Sequence, residues 1–325
     1  MRYSRRSFLQ LTGSALGALM LNGAGESVWA RQTAPAERQG RATVFQGRRT
    51  PPLPEGQQAY LAVARGDDAF TITQAAVQAL GGMERFVHSG DDVIIKPNIC
   101  TDYHPPEYAA TTNPAVVGAL VSMCLAAGAS RVRVMDTPFG GTPASAYVMS
   151  GIQDAVIAAG GEMEIMSPLK FVEAAIPEGR DIQSWEVYQD ILDADVFINV
   201  PIAKHHSLAR LTLGGKNLLG VVTAPNLLHR NLGQRIADLV SLVRPSLTVV
   251  DAVRILTANG PTGGSLDDVQ QTNTVIASHD IVAADAYAAT LFGLTGADIG
   301  YVQAMADMGL GTMELDSIQI EEVNV

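Results

Sequence analysis

Residues 195–220, DVFINVPIAKHHSLARLTLGGKNLLG, constrain the fold more than any other stretch of the chain. Val196, Phe197, Ile198 and Val200 form an apolar run that ends at Pro201, the pattern of a strand buried on both faces and stopped by proline. A strand with two apolar faces belongs in a sheet covered on both sides. Lys204, His205 and His206 follow at once, and Gly214 and Gly215 precede Lys216 and Asn217. Polar groups released at a strand end, next to glycines that permit tight turns and close backbone approach, mark the start of a ligand site.

The rest of the chain repeats this alternation. Strands are expected at 59–65, 92–98 and 130–136, near 162–166, and at 195–201, 246–251, 273–278 and 317–323. Helical patterns are expected near 72–87, at 113–129, within 143–160, near 184–193, at 231–243, after Asp280 and near 298–308. The expected fold is α/β, a mostly parallel sheet with helices on both faces, doubly wound and Rossmann-like, with room for a small inserted lobe. Neither GxGxxG after a first strand nor GxxxxGK[ST] occurs, so the common dinucleotide and nucleoside-triphosphate fingerprints are missing.

In such a sheet the ligand crevice lies beyond the carboxyl ends of the strands. Lys96, Pro97 and Asn98 end one expected strand, Asp136 a second, and Asp251 a fourth, while Pro201 to His206 follow the third. The candidate catalytic residues are therefore Lys204, His205 and His229. Candidate ligand-binding residues are Lys96, Asn98, Asp136, Lys216, Asn217, Asp251, Asn259 and Gly260, the last two in a glycine-rich loop, NGPTGG, expected to cover the crevice and supply backbone N–H donors, with a plain surface turn as its alternative. Asp136 and Asp251 have an alternative as turn formers or helix caps. Asp285 lies in an Ala-rich helical pattern where an inward carboxylate needs a partner, for which Lys216 or Asn217 is the expectation.

Positive charge is distributed unevenly. The chain has 22 Lys and Arg residues but only four lysines, Lys96, Lys170, Lys204 and Lys216, and three of them fall in the candidate site. Lysine is a compact charge whose pKa burial lowers, suited to phosphate or carboxylate binding and to proton transfer. The net charge is −11, and it becomes −16 without residues 1–58, which carry eight arginines and three glutamates. So acidic a surface disfavours nucleic acid and anionic lipid. Locally basic clusters inside it point to a small anionic ligand instead.

Cys100 and Cys124 are too few for a four-thiolate iron–sulfur cluster or a disulfide framework. Cys124 sits in the apolar helical pattern VVGALVSMCLAAGA, where a buried inert thiol is the usual case, although an exported protein would permit a bridge between the two. The chain opens with SRRSFL, the twin arginines Arg5 and Arg6 before an apolar Gly- and Ala-rich stretch, and Val28-Trp29-Ala30 makes a small-residue cleavage pattern. Residues 1–30 thus resemble a twin-arginine export signal, which makes the export machinery a partner and implies a periplasmic or extracellular location. Phe8 to Leu21 is short for a spanning helix, so no membrane association is expected after cleavage, the alternative being an uncleaved signal anchor. Residues 31–58, rich in Pro, Gln and Arg, read as a linker or surface strap, and residues 59–325 as one α/β domain.

KPN (96–98), TNPAVVGAL (112–120), VMDTP (134–138), DVFINVPIAKHH (195–206), LTLGGKNLLG (211–220), LTVVDA (247–252), NGPTGG (259–264) and IVAADA (281–286) occur in the order and spacing of a known family. Over roughly residues 90–292 the chain resembles the proteins classed as domain of unknown function 362. Many of those carry a ferredoxin-like module with cysteine clusters; this sequence has no such clusters, so redox activity does not carry over. The resemblance implies fold and site and assigns no reaction or cofactor.

Two functional classes follow. One is an exported enzyme whose crevice holds an anionic small molecule or a nucleotide-like cofactor, neutralised by Lys96, Lys204 and Lys216, with His205 or His229 transferring protons. The other is a non-catalytic binding or maturation protein in which His205, His206 and His229, with Asp136 or Asp251, hold a ligand or metal. Three lysines beside a cation repel it, so charge sign favours the anion. His88, His104 and His279 fall at a helix end, in a loop and before a helix cap.

Overall fold

The computed structural model describes residues 59–325. The export signal and the strap expected at residues 1–58 lie outside the described residues. Strands β1 (Leu61–Arg65), β2 (Asp92–Pro97), β3 (Arg131–Val134) and β4 (Glu162–Met163) alternate with helices α1 (Ala69–Ala79), α2 (Pro114–Ala126), α3 (Pro143–Met149) and α4 (Ile152–Ala158). A hairpin of β5 (Phe171–Ala175) and β6 (Ser184–Tyr188) leads through α5 (Gln189–Asp193) to β7 (Val196–Val200), β8 (Ile202–His206) and β9 (Arg210–Thr212). After α6 (Gly214–Asn217) and α7 (Leu232–Val243) come β10 (Leu247–Leu256), β11 (Val269–Ser278), α8 (Ile281–Thr290), α9 (Gly300–Asp307) and β12 (Ile320–Asn324).

The main sheet runs β12-β1-β11-β10-β7-β2-β3-β4, with β8 paired to β10 and β9. β10, β7, β2, β3 and β4 are parallel neighbours, whereas β11 runs antiparallel to both β1 and β10. Successive strand residues serve opposite faces, as the pleat requires. Leu61, Val63, Ile94 and Phe197 enter one core with Ile191, Ile236, Val282 and Tyr301 from α5, α7, α8 and α9. Ala62, Val93, Ile95 and Ile198 enter the other with Ile72, Val117, Tyr147 and Ile152 from α1 to α4. The structure is therefore the mostly parallel, two-faced α/β fold that the alternation implies. Among the described residues no helix is long and apolar enough to cross a membrane.

One local expectation is corrected. Residues 184–188 are strand and only 189–193 helix, because Trp185 and Val187 alternate along a hairpin whose register pairs Phe171 with Tyr188. Pro201 ends β7 at Val200, as expected, but the chain does not leave the sheet. The Pro201 carbonyl accepts the Asp251 amide at 2.9 Å, and the chain resumes on the far side as β8, paired to β10 at Ile202 and Lys204. Proline gives up one donor here and separates the two strands.

Candidate functional site

The ends of β2 and β3, the length of β8 and the short helix α6 surround a cavity of about 320 Å3. Its walls carry Lys96, Asn98, Asp136, Lys204, Lys216 and Asn217, so the three lysines do meet, although up to 120 residues separate them. They meet in two different roles.

Lys96 and Lys204 belong to a buried polar frame. The Lys96 ammonium donates to Asp136 Oδ1 at 2.7 Å, to the Pro97 carbonyl at 2.9 Å and to Asn217 Oδ1 at 3.1 Å. Lys204 donates to Asn98 Oδ1 at 2.9 Å, to the Ala110 carbonyl at 2.6 Å and to the Cys100 sulfur at 3.4 Å. Each ammonium has three N–H bonds, so both are satisfied from within. Asn217 links the two halves, accepting from Asn98 Nδ2 at 2.9 Å and donating to Asn199 Oδ1 at 2.8 Å. Asp136 in turn accepts the amides of Ile99 at 2.7 Å and Thr137 at 2.8 Å. Gly220 seals the frame, since a Cβ there would stand 2.2 Å from Asp136 Oδ1 and 2.8 Å from Lys96 Nζ. Burial is the strongest influence on Lys96 and lowers its affinity for a proton, while Asp136 acts against it.

Four other groups face the cavity with bonding capacity to spare. Among the described residues the Lys216 ammonium makes no hydrogen bond or ion pair. Burial, then the Lys204 and Lys96 charges, pull it down to about 8. Thr212, 3% exposed, has a hydroxyl with no partner. His206 Nδ1 accepts the amides of Leu208 at 3.1 Å and Ala209 at 3.3 Å, so a neutral ring carries its proton on Nε2. Burial, reinforced by Lys216 and Lys204, holds His206 down at about 3 and hence neutral. His229 is the complement. Its Nδ1 lies 3.3 Å from the Asn226 carbonyl, which can only accept, so Nδ1 carries the proton and Nε2 keeps a basic lone pair. Burial and then Lys216 lower its pKa. The two rings lie 6.4 Å apart and nearly parallel, at 22°. One imidazole edge donates and the other accepts, beside a cation.

Several expected site residues serve elsewhere. His205 points away from this cavity, and its Nδ1 accepts the Gly260 amide at 3.1 Å. Gly260 passes so close that a Cβ would lie 1.9 Å from the His205 carbonyl oxygen. In place of its N–H groups, the 259–264 loop contributes Pro261 to the cavity wall, while Asn259 bonds Asp268 at 2.8 Å. Asp251 accepts the amides of Asn113 at 2.7 Å and Val253 at 3.0 Å, and burial raises it to about 6. It ties α2 to β10 and does not line the cavity. Asp285 bonds neither Lys216 nor Asn217; it accepts the Gly214 and Gly215 amides at 2.6 and 2.8 Å. Both cysteines are free, and Cys100 lines the cavity.

Sequence reasoning passes over Thr212 and assigns proton transfer to His205 where the cavity presents His206. The signal for both is alternation: on β8, Lys204 and His206 share a face, and Thr212 pairs with Lys204 across β9.

The chain is 28% identical over 250 residues to the thylakoid-associated protein sll1697 of Synechocystis sp. (strain ATCC 27184 / PCC 6803 / Kazusa), covering 72% of this chain and 73% of that protein. Its structure is similar to that of the lactate racemase apoprotein from Thermoanaerobacterium thermosaccharolyticum, with a TM-score of 0.44 and 11% identity, over 71% of this chain and 56% of that one. Residues 93–290, which hold the polar frame and all four cavity-facing groups, match the family described as "Domain of unknown function (DUF362)", and the chain belongs to that family.

Proposed function

We propose that the protein is an enzyme acting on a small organic anion, which Lys216, Thr212 and the Nε2–H of His206 hold while Nε2 of His229 moves a proton. The observation that carries this reading is the Lys216 ammonium, set in a cavity wall without a partner among the described residues. A half-buried cation without a partner calls for an anion. Lys96, Lys204 and Lys216 also outnumber the one carboxylate of the wall, Asp136, so the cavity carries surplus positive charge inside an acidic protein. A volume of about 320 Å3 lies at the small end of ligand pockets and favours a small acid over a dinucleotide. His206 as a fixed neutral donor and His229 as an acceptor supply the two halves of acid–base chemistry.

Thermal melts with a panel of small carboxylates and phosphates test the reading. A fitting anion at a hundredfold excess over its Kd stabilises the fold by about 2.7 kcal/mol. Lys216→Met is expected to abolish that response. An unresponsive wild type, or a Lys216→Met variant that responds as wild type does, refutes it.

The export signal read in residues 1–30 supports action outside the cytoplasm. Replacing Arg5 and Arg6 together by lysine is expected to retain the protein in the cytoplasm with its signal uncut; normal export of that variant counts against the location.

A further inference from the structure

We propose that Lys216 is also the nucleophile of this site, condensing through its amine with the carbonyl carbon of a small 2-oxo acid to form an imine. The inference rests on the anion-site reading above and names the ligand class for it.

The four lysines sort by what their nitrogens do. Lys96 and Lys204 each spend three N–H groups on buried acceptors. Lys170 is 44% exposed and bonds Asp190 at 2.8 Å and Glu164 at 3.3 Å. Lys216 alone has a nitrogen with no acceptor among the described residues, and it lines the cavity. An amine kept from acceptors and placed beside other cations is one that can lose its proton near neutrality and attack. The value of about 8 agrees with that geometry.

The neighbouring groups fit the steps of condensation. His229 Nε2, a lone pair beside Lys216, takes a proton from the ammonium. The freed electron pair of Lys216 Nζ then forms a bond to the carbonyl carbon, and the carbonyl π pair moves to oxygen, which His206 Nε2–H steadies. A proton passes from nitrogen to that oxygen, and His229 returns its own proton as the carbon–oxygen bond breaks. One water leaves, a protonated imine remains, and total charge is unchanged. No oxidant or reductant is required. The adjacent carboxylate of a 2-oxo acid meets the Thr212 hydroxyl and the positive field of Lys204 and Lys96, which a neutral aldehyde or ketone does not use.

Reductive trapping tests the proposal. The protein is incubated with pyruvate or glyoxylate and cyanoborohydride, and adducts are located by intact mass and peptide mapping. One adduct at Lys216 is expected, forming at least about tenfold faster than at exposed Lys170, whose carboxylate partners raise its pKa and so withhold the free amine. Its rate should rise through pH 8, acetone should label it far more slowly, and oxamate, which cannot form an imine, should protect it. Lys216→Arg keeps the charge and is expected to abolish this adduct while leaving labelling at Lys170 unchanged. If that variant does not fold, oxamate protection of wild type decides the same point. Pyruvate that raises the melting temperature without labelling Lys216 above Lys170 overturns the imine and leaves the anion site standing. If pyruvate, glyoxylate and oxamate produce neither a shift nor a label, and no other small anion shifts the melt, both fall.

Discussion

Lys204 and His206 stand two residues apart on one edge of β8 and face the same cavity, while His205 between them turns its Nδ1 to the Gly260 amide 3.1 Å away. The pleat alone separates a ligand-facing histidine from a loop-holding one. Replacing each tests the division. His206→Ala removes one donor to the anion and is expected to weaken binding about tenfold, the effect of one hydrogen bond to a charged group. His205→Ala is expected to lower stability by about 1 kcal/mol by freeing the Gly260 amide, with anion affinity changed less than about threefold. Calorimetric titration with the best anion, alongside urea melts, distinguishes them.

The frame and the ligand-facing lysine should respond oppositely to neutral substitution. Asp136→Asn leaves the Lys96 charge buried without its partner and is expected to cost about 3–5 kcal/mol. Lys204→Met strands the Ala110 carbonyl and Asn98 Oδ1 and is expected to cost about 2–4 kcal/mol. Lys216→Met removes an unpaired cation and is expected to be neutral, or stabilising by up to about 2 kcal/mol, at pH 7. Urea unfolding of the three variants checks the order. Comparable losses for all three would show that Lys216 too is held from within.

These contrasts mark how far the sequence carried. The parallel sheet and the meeting of Lys96, Lys204 and Lys216 were legible because buried strands and a glycine pair leave periodic traces. Which lysine is free was not, since that depends on carbonyls such as Ala110 and Pro97 whose positions no side-chain pattern records. The strand end at Pro201 was legible because its missing N–H is a local fact, whereas the return to the sheet as β8, on a partner strand fifty residues on, was not. The strand at 184–188 reads as helix in sequence because its partners, Phe171 to Ala175 and Val222, are tertiary contacts that decide conformation and leave no local trace.

Lys216 ties anion affinity and stability to pH in opposite senses. Its folded value of about 8 lies below the ordinary 10.5, so between those values the unfolded chain holds the extra proton. Stability therefore gains from this group as pH rises through that window, while below pH 8 the charged group carries its full desolvation penalty. Anion binding needs the proton and is expected to weaken about tenfold per unit above pH 8. Thermal melts from pH 7 to 10, with and without anion, check both slopes. Lys216→Met should flatten the first and erase the second.

Asp285 sets where Lys216 stands. Its carboxylate accepts the Gly214 and Gly215 amides at 2.6 and 2.8 Å, and so fixes the first turn of the four-residue helix that carries Lys216. The fit is close, for a Cβ on Gly214 would lie 2.7 Å from Asp285 Oδ1. Asp285→Asn keeps the shape but has one acceptor oxygen, and its amide meets an N–H with another N–H. A loss of about 1–3 kcal/mol is expected from the stranded donor. Anion affinity should fall with it as Lys216 shifts, although Asp285 touches no ligand. The pH signature separates this role from general destabilisation. Burial raises the carboxyl from 3.8 to about 7, so between those values the folded state holds the extra proton and stability falls as pH rises. Asp285→Asn has no such group, and its stability relative to wild type should improve steadily from pH 4 to pH 7 and then level off. Urea melts across that range check the trend, and a constant difference between the two proteins would show that Asp285 stays ionised throughout.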